Sequence, residues 1–213
     1  MTTRRLLPLS GIVSVLLIAL AVVIGGGTPD PDASAAKVMS FYNAHDAREI
    51  ASALVLATSV PFLVFFAVAL ATALWPGEAD GRPVWELVLV GGSVLAGGAI
   101  LLAAAVHFAL ADGADHLSAS ALQVLNVVDG DGWVAWNAGI GVMMLGAAGS
   151  LLSRAAGSRW LAWTALVLGI LLFIPFADFF ALLASGLWVL LTSVVVFRRA
   201  GTPAYAAAPG VAS

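Results

Sequence analysis

The sequence predicts an all-α membrane protein with six transmembrane helices and a short amphipathic helix in each of two outer loops. Three observations carry that prediction. First, 62% of the 213 residues are hydrophobic and 10% are charged, where a soluble domain carries about 25% charged residues; so little polar surface cannot cover a water-soluble globule. Second, six apolar runs are separated by short polar breaks. Third, seven of the eight arginines fall at the ends or on alternate breaks.

A helix crossing the hydrocarbon core of about 30 Å needs about 20 apolar residues. The runs at 6–24, 51–75, 85–111, 133–153 and 179–197 meet or approach that length, and the run at 160–176 is short. Pro76-Gly77 breaks the chain after the second run, and Pro175 with Asp178 breaks it between the fifth and sixth. One long kinked segment is the competing reading for the last two. The first run, behind Arg4-Arg5, has a competing reading as a secretory signal. It is long for such a core, and Gly25-Gly26-Gly27-Thr28 is a poor cleavage site, so a retained span is expected. Residues 1–199 are expected to form one transmembrane domain, and 200–213 a disordered cytoplasmic tail.

In a six-span arrangement Arg4, Arg5, Arg82, Arg154, Arg159, Arg198 and Arg199 share one side, and only Lys37 and Arg48 take the other. Excess Lys and Arg marks the cytoplasmic side. Both termini are therefore expected in the cytoplasm, with the chain in a bacterial plasma membrane. Asp30, Asp32, Asp46, Glu49, Asp112, Asp115, Asp129, Asp131 and Asp178 fall on the outer side. Trp75, Trp85, Trp133 and Trp160 sit near span ends, where indole rings favour the interface.

A shift of 86 positions, Ala121 over Ala35, lays the first third of the chain on the middle. Ala35, Val38, Met39 and Tyr42 then match Ala121, Val124, Leu125 and Val128, each a one-sided helical stripe. Asp32 or Ser34 is placed to cap the first short helix, Ser118 or Ser120 the second, and Gly130 or Gly132 to end the second. Each would lie apolar side down on the bundle or the lipid boundary. The pattern reads as a tandem repeat of span, surface helix, span, followed by a closing hairpin; carriers use such repeats, and plain duplication also makes them. Gly92/Ala96 and Ser93/Gly97 in the third span, with Gly139 and Gly146 in the fourth, suit close helix packing. Pro61 is a candidate kink in the second span.

Chemistry is sparse. There are no cysteines, which excludes disulfides and thiol redox. A single lysine and few arginines exclude nucleic acid as a partner. No phosphate-loop, dinucleotide, nucleophile-elbow or H-E-x-x-H motif occurs, and DGDGW at 129–133 lacks the ligands of a calcium loop. No cofactor or metal is expected. His107 stands out as an ionisable residue inside a span, where such groups face a cavity or a partner. It reads either as a ligand or proton site or as a histidine satisfied by one neighbour. Tyr42, His107, Asp112, Asn137 and Asp178 are the candidates for a polar pocket, with Asn137 or Asp178 as hydrogen-bond partners of His107. His45-Asp46 and Asp115-His116 are mirrored pairs that suit a metal only loosely. In FYNAHDAREI, residues 41–50, the stripe ends at Tyr42; His45, Asp46, Arg48 and Glu49 are expected at the outer headgroups.

TPDPDASAAKVMSFYNAHDAREI after the first span, with SRWLAWTALVLGILL and GLWVLLTSVVVFRR near the end, resembles a family of uncharacterised six-helix bacterial integral membrane proteins, a domain of unknown function. The resemblance covers most of residues 1–199. It implies six helices in the plasma membrane and no established reaction or catalytic residue. The expected role is a non-enzymatic membrane component that binds a small or lipidic ligand, or a membrane protein partner, on its outer face. A proton-coupled carrier using His107 with Asp112 or Asp178 is the alternative. An enzyme with an outer His/Asp cluster is the weaker one.

Overall fold

The structure, a computed structural model, describes residues 6–74, 84–153 and 158–199. Every regular element among them is helical. A 3₁₀ turn at Leu7–Leu9 leads into α1 (Ser10–Gly25). Then come α2 (Ala35–Leu74), α3 (Val84–Asp112), α4 (Ala119–Asp131), α5 (Trp133–Leu152), α6 (Arg159–Leu171) and α7 (Asp178–Arg199). Five stretches are long and apolar enough to cross a membrane: Leu7–Gly25, Ala35–Leu74, Val84–Asp112, Ala119–Leu152 and Asp178–Arg199. An all-helical chain of this kind is a polytopic membrane protein by length and composition. The charge expectations on Arg4, Arg5, Arg82 and Arg154, those on Trp75 and Pro76-Gly77, and that on the tail 200–213, lie outside the described residues.

The fifth expected span is shorter than its apolar run. α6 has 13 residues, about 20 Å at 1.5 Å per residue. Pro175 supplies the reason: it has no N–H to return to the Leu171 carbonyl four residues back. That carbonyl accepts instead from Ile174 N at 3.0 Å, a tighter turn, and Phe176 then takes a positive φ of 71°.

Successive long helices run antiparallel, and their register can be read from side chain to backbone. Ser52 Oγ donates to Ala21 O at 2.9 Å and Ser14 Oγ to Ser59 O at 3.0 Å, locking α1 on α2. A Cβ on Gly139 would fall 2.3 Å from Ala96 N, one on Gly92 2.2 Å from Met143 N, and one on Gly146 2.3 Å from Leu89 N. α3 and α5 therefore touch backbone to backbone along three turns, the close approach that small residues allow in lipid. Trp188 Nε1 donates to Leu161 O at 3.0 Å between α6 and α7. Gly11 lies against Ser193 and Phe66, so α7 returns to α1 and closes the ring of helices.

The two surface elements differ from each other. The first is joined to the second span across a kink: within α2 the backbone leaves helical geometry at His45 (φ −132°, ψ 16°), which divides the surface helix from the span. The non-helical break is at His45, and Pro61 lies inside the helix that follows. Ser34 Oγ accepts from Lys37 N at 3.4 Å, and Val38 and Tyr42 are buried as the stripe requires. The second, α4, is separate; Ser118 Oγ accepts from Ala121 N at 3.3 Å and Gly132 ends the helix. Its expected apolar stripe is split, with Val124 and Val128 exposed and Leu125 packed partly buried, while Leu122 and Asn126 are buried. Asn126 is the cause: its amide donates to Asp30 O at 3.0 Å and so turns this face to the 26–34 loop.

Candidate functional site

His107 lies on α3, five residues before the helix ends, and both of its ring nitrogens face carboxylates. Nε2 stands 2.9 Å from Glu49 Oε2 on α2, and Nδ1 stands 3.1 Å from Asp129 Oδ2 on α4. Glu49 is fully buried. The side chains of His107 and Asp129 keep 13% and 17% of their exposure. The other oxygen of Glu49 accepts from Arg48 Nε at 2.9 Å, and the Arg48 guanidinium lies 5.6 Å from the centroid of the Phe41 ring. Tyr42 presents its ring edge to His107 with centroids 6.0 Å apart.

The backbone explains why these groups meet. Gly25 ends α1 against α2; a Cβ there would fall 2.9 Å from Ser52 Oγ and 3.3 Å from Glu49 Oε2. Its missing side chain leaves room for the carboxylate. Asp129 is set by α4, which Gln123 ties to Ala33 O at 3.0 Å and Asn126 to Asp30 O. Pro31 packs on Gly130, where a Cβ would fall 2.5 Å from Pro31 Cγ.

Each nitrogen–oxygen contact needs one shared proton, since a bare carboxylate cannot donate and a neutral imidazole donates from only one nitrogen. Two contacts therefore hold two protons among one imidazole and two carboxyl groups. The three groups carry a net charge of −1, and Arg48 brings the cluster to neutrality. That balance is what allows so many ionisable groups to be buried together.

The cluster forms one end of a cleft of about 380 Å³. Val22 and Gly25 of α1, Ala103 of α3, Trp133 and Trp136 of α5 and Phe179 of α7 supply its walls. α1 and α7 meet closely at Gly11 and Ser193; the cleft lies between their opposite ends. Its walls are apolar, and Thr28, Ser52, His107 and Asp129 give it a polar end. A second groove of about 430 Å³ along α6 and α7 is lined by Trp160, Trp163, Trp188 and Thr164 among apolar side chains.

The expected site residues divide. Tyr42 and His107 lie in ring contact. Asn137 and Asp178 pair with each other, Asn137 Nδ2 donating to Asp178 Oδ2 at 3.0 Å in a buried contact, and not with His107. Asp112 is exposed at the end of α3, so the expected link from His107 to Asp112 or Asp178 is replaced by Glu49 and Asp129. Glu49 is the clearest correction: the headgroup position expected for it is a fully buried one, on the same face of α2 as the buried Ser52 and Ser59. The mirrored pairs are used locally. His45 Nδ1 lies 2.8 Å from Phe41 O, Asp46 Oδ1 accepts from Ala47 N at 2.7 Å, and His116 Nδ1 lies 2.6 Å from Asp115 Oδ1 in an exposed contact. That contact holds the Asp115 carboxyl below the ordinary aspartate range. Among the described residues no group of three or more His, Asp or Glu is arranged to hold a metal.

A signal for Glu49 does exist in the sequence. Tyr42, Glu49, Ser52, Ser59, Leu63 and Phe66 follow helical spacing, and all are buried. The inward stripe of the second span thus extends back through Glu49 to Tyr42.

No family model, curated protein or solved structure matches the chain. The resemblance to six-helix membrane proteins therefore holds at the level the fold supports: an all-helical chain with five long apolar stretches, consistent with an integral membrane protein.

Proposed function

We propose that the chain is a six-span plasma-membrane protein, both termini cytoplasmic, that binds a small or lipidic ligand in the cleft beside His107 and Asp129. On this reading the protein is not an enzyme. The observation that carries it is the cleft itself: apolar walls with a single polar end is the ordinary form of a small-molecule site. Arg159, Arg198 and Arg199 lie at the end of the bundle opposite Lys37 and Arg48, which supports an outward cleft under the positive-inside rule. α6 with the turn at 172–177 would complete the sixth crossing. The tandem repeat of span, surface helix and span, read from the 86-residue offset, is part of this proposal.

Native mass spectrometry of protein extracted in mild detergent tests the reading. A retained small molecule or lipid is expected at one per chain, reduced when Ala103→Leu fills the cleft. Equal retention by the variant would reject the site.

One observation favours a second reading, a proton-coupled carrier: His107 bridges carboxylates from two different elements, so its protonation couples α2 to α4. In proteoliposomes a pH-driven flux lost in His107→Ala would support it, and the absence of any flux from the wild type would reject it.

A further inference from the structure

The charge balance of the cleft points to the chemistry of its ligand, on the reading that the cleft is a ligand site. We propose that it takes an organic cation with an apolar body, and that one proton leaves the His107–Asp129 contact for each cation bound.

The walls exclude other classes first. Among the described residues no lysine or arginine lines the cleft, and the neighbouring Arg48 is already paired with Glu49, so an anionic headgroup would meet the Asp129 carboxylate without a free counter-charge. A neutral apolar molecule would leave Asp129 facing hydrocarbon. Three aromatic rings line the same space, Trp133, Trp136 and Phe179, together with the Asp129 carboxyl. Aromatic faces beside a carboxylate are the surroundings in which a desolvated cation is held. The cleft volume of about 380 Å³ lies within the usual range for small-molecule pockets.

The proton follows from the balance of charge. The groups facing His107 are Glu49, Tyr42 and the neighbouring Arg48 from α2, and Asp129 from α4. α1 and α5 bring no charged side chain to the cleft. Arg48, Glu49, His107 and Asp129 together are neutral while both histidine contacts hold their protons. A monovalent cation in this low-dielectric space would leave an excess charge of +1. Loss of the proton shared by His107 Nδ1 and Asp129 Oδ2 restores neutrality: the imidazole keeps its other proton toward Glu49, and Asp129 stays as a carboxylate facing the cation. Cation in and one proton out leaves the total charge unchanged.

Binding of radiolabelled tetraphenylphosphonium to the purified full-length protein tests this, with triphenylphosphine oxide as an uncharged analogue of similar bulk. The expected result is one phosphonium per chain, close to one proton released in weakly buffered solution, and an affinity that falls about tenfold per pH unit on the acid side. Asp129→Asn is expected to weaken phosphonium at least about tenfold, the equivalent of about 1.4 kcal/mol, with no proton released. Ala103→Leu, which leaves every charged group in place, is expected to weaken both probes. Equal binding of the uncharged analogue, or phosphonium binding without proton release, would overturn the cation inference and leave the cleft as a ligand site. Binding of neither probe to the wild type would overturn both.

Discussion

Glu49 and His107 meet at 2.9 Å although 58 residues separate them in the chain, and the contact fixes α2 against α3 at the depth where the cleft begins. A buried carboxylate beside an imidazole loses far more when one partner is removed than the pair contributes in total. Glu49→Ala and His107→Ala are each expected to destabilise the folded protein by about 3 kcal/mol. The double variant is expected to cost clearly less than the sum, with a coupling of about 1–2 kcal/mol. A thermodynamic cycle from unfolding in detergent checks this; additive costs would mean that the two groups do not interact.

The α3–α5 contact makes a sharp contrast between glycines. Gly139→Val would drive its side chain into the Ala96 backbone, where a Cβ already falls 2.3 Å from the nitrogen. Gly98→Ala, on the same pair of helices, meets nothing within 4 Å and gains helix propensity. The first is expected to lose most folded, monodisperse protein. The second is expected to match the wild type or exceed it by up to about 1 kcal/mol. Size-exclusion profiles and melting temperatures of the two variants give the comparison.

Tyr42 is fully buried, yet its hydroxyl has no hydrogen-bond partner within the protein. An unsatisfied buried hydroxyl costs about 1–3 kcal/mol. Tyr42→Phe keeps the ring edge on His107 and removes that cost, so its melting temperature is expected to rise. A fall would show that the hydroxyl is satisfied by a molecule bound in solution.

Asp115 and His116 form a contact exposed on both sides, and His116 holds the Asp115 carboxyl below its ordinary range. A depressed folded-state value means the contact contributes above the unfolded aspartate value and is lost as pH falls through the folded one. Carboxyl NMR is expected to show a titration below the ordinary aspartate value, returning upward in His116→Ala. Solvent screening keeps the stability effect near zero, so melting temperatures of the pair should agree.

Much of this fold is written in composition and spacing. Five of the six expected spans have helices close to their apolar runs, because hydrocarbon length and hydropathy alone set them. The small residues of α3 and α5 announced their contact. His107 was visible because an imidazole in an apolar run has few reasons to be there. Glu49 and Asp129 were not, because each sits in a stretch that looks like ordinary polar loop. Glu49 lies on the inward stripe of the second span, but the stripe does not name the partner it meets, and Asp129 is placed by the Asn126 and Gln123 anchors that hold α4. Their meeting at His107 is a tertiary effect, which local patterns do not encode.

The height of the α6–α7 hairpin carries a last consequence. Asp178, the first residue of α7, bonds Asn137, the fifth of α5, so this side of the bundle stops about one helical turn, roughly 5 Å, below its neighbour. Phe176 is 94% exposed on that low rim, with Phe179 and Phe180 beside it. A bilayer surrounding the protein has to thin there or leave these rings in water, and thinning costs only fractions of a kcal/mol per Å. Phe179 is also a wall of the cleft. A cleft entered past Phe179 would open sideways into the leaflet, and a solute would then partition into lipid before it met the protein. Its effective concentration would follow its lipid solubility, so measured affinities should scale with the amount of membrane in the assay.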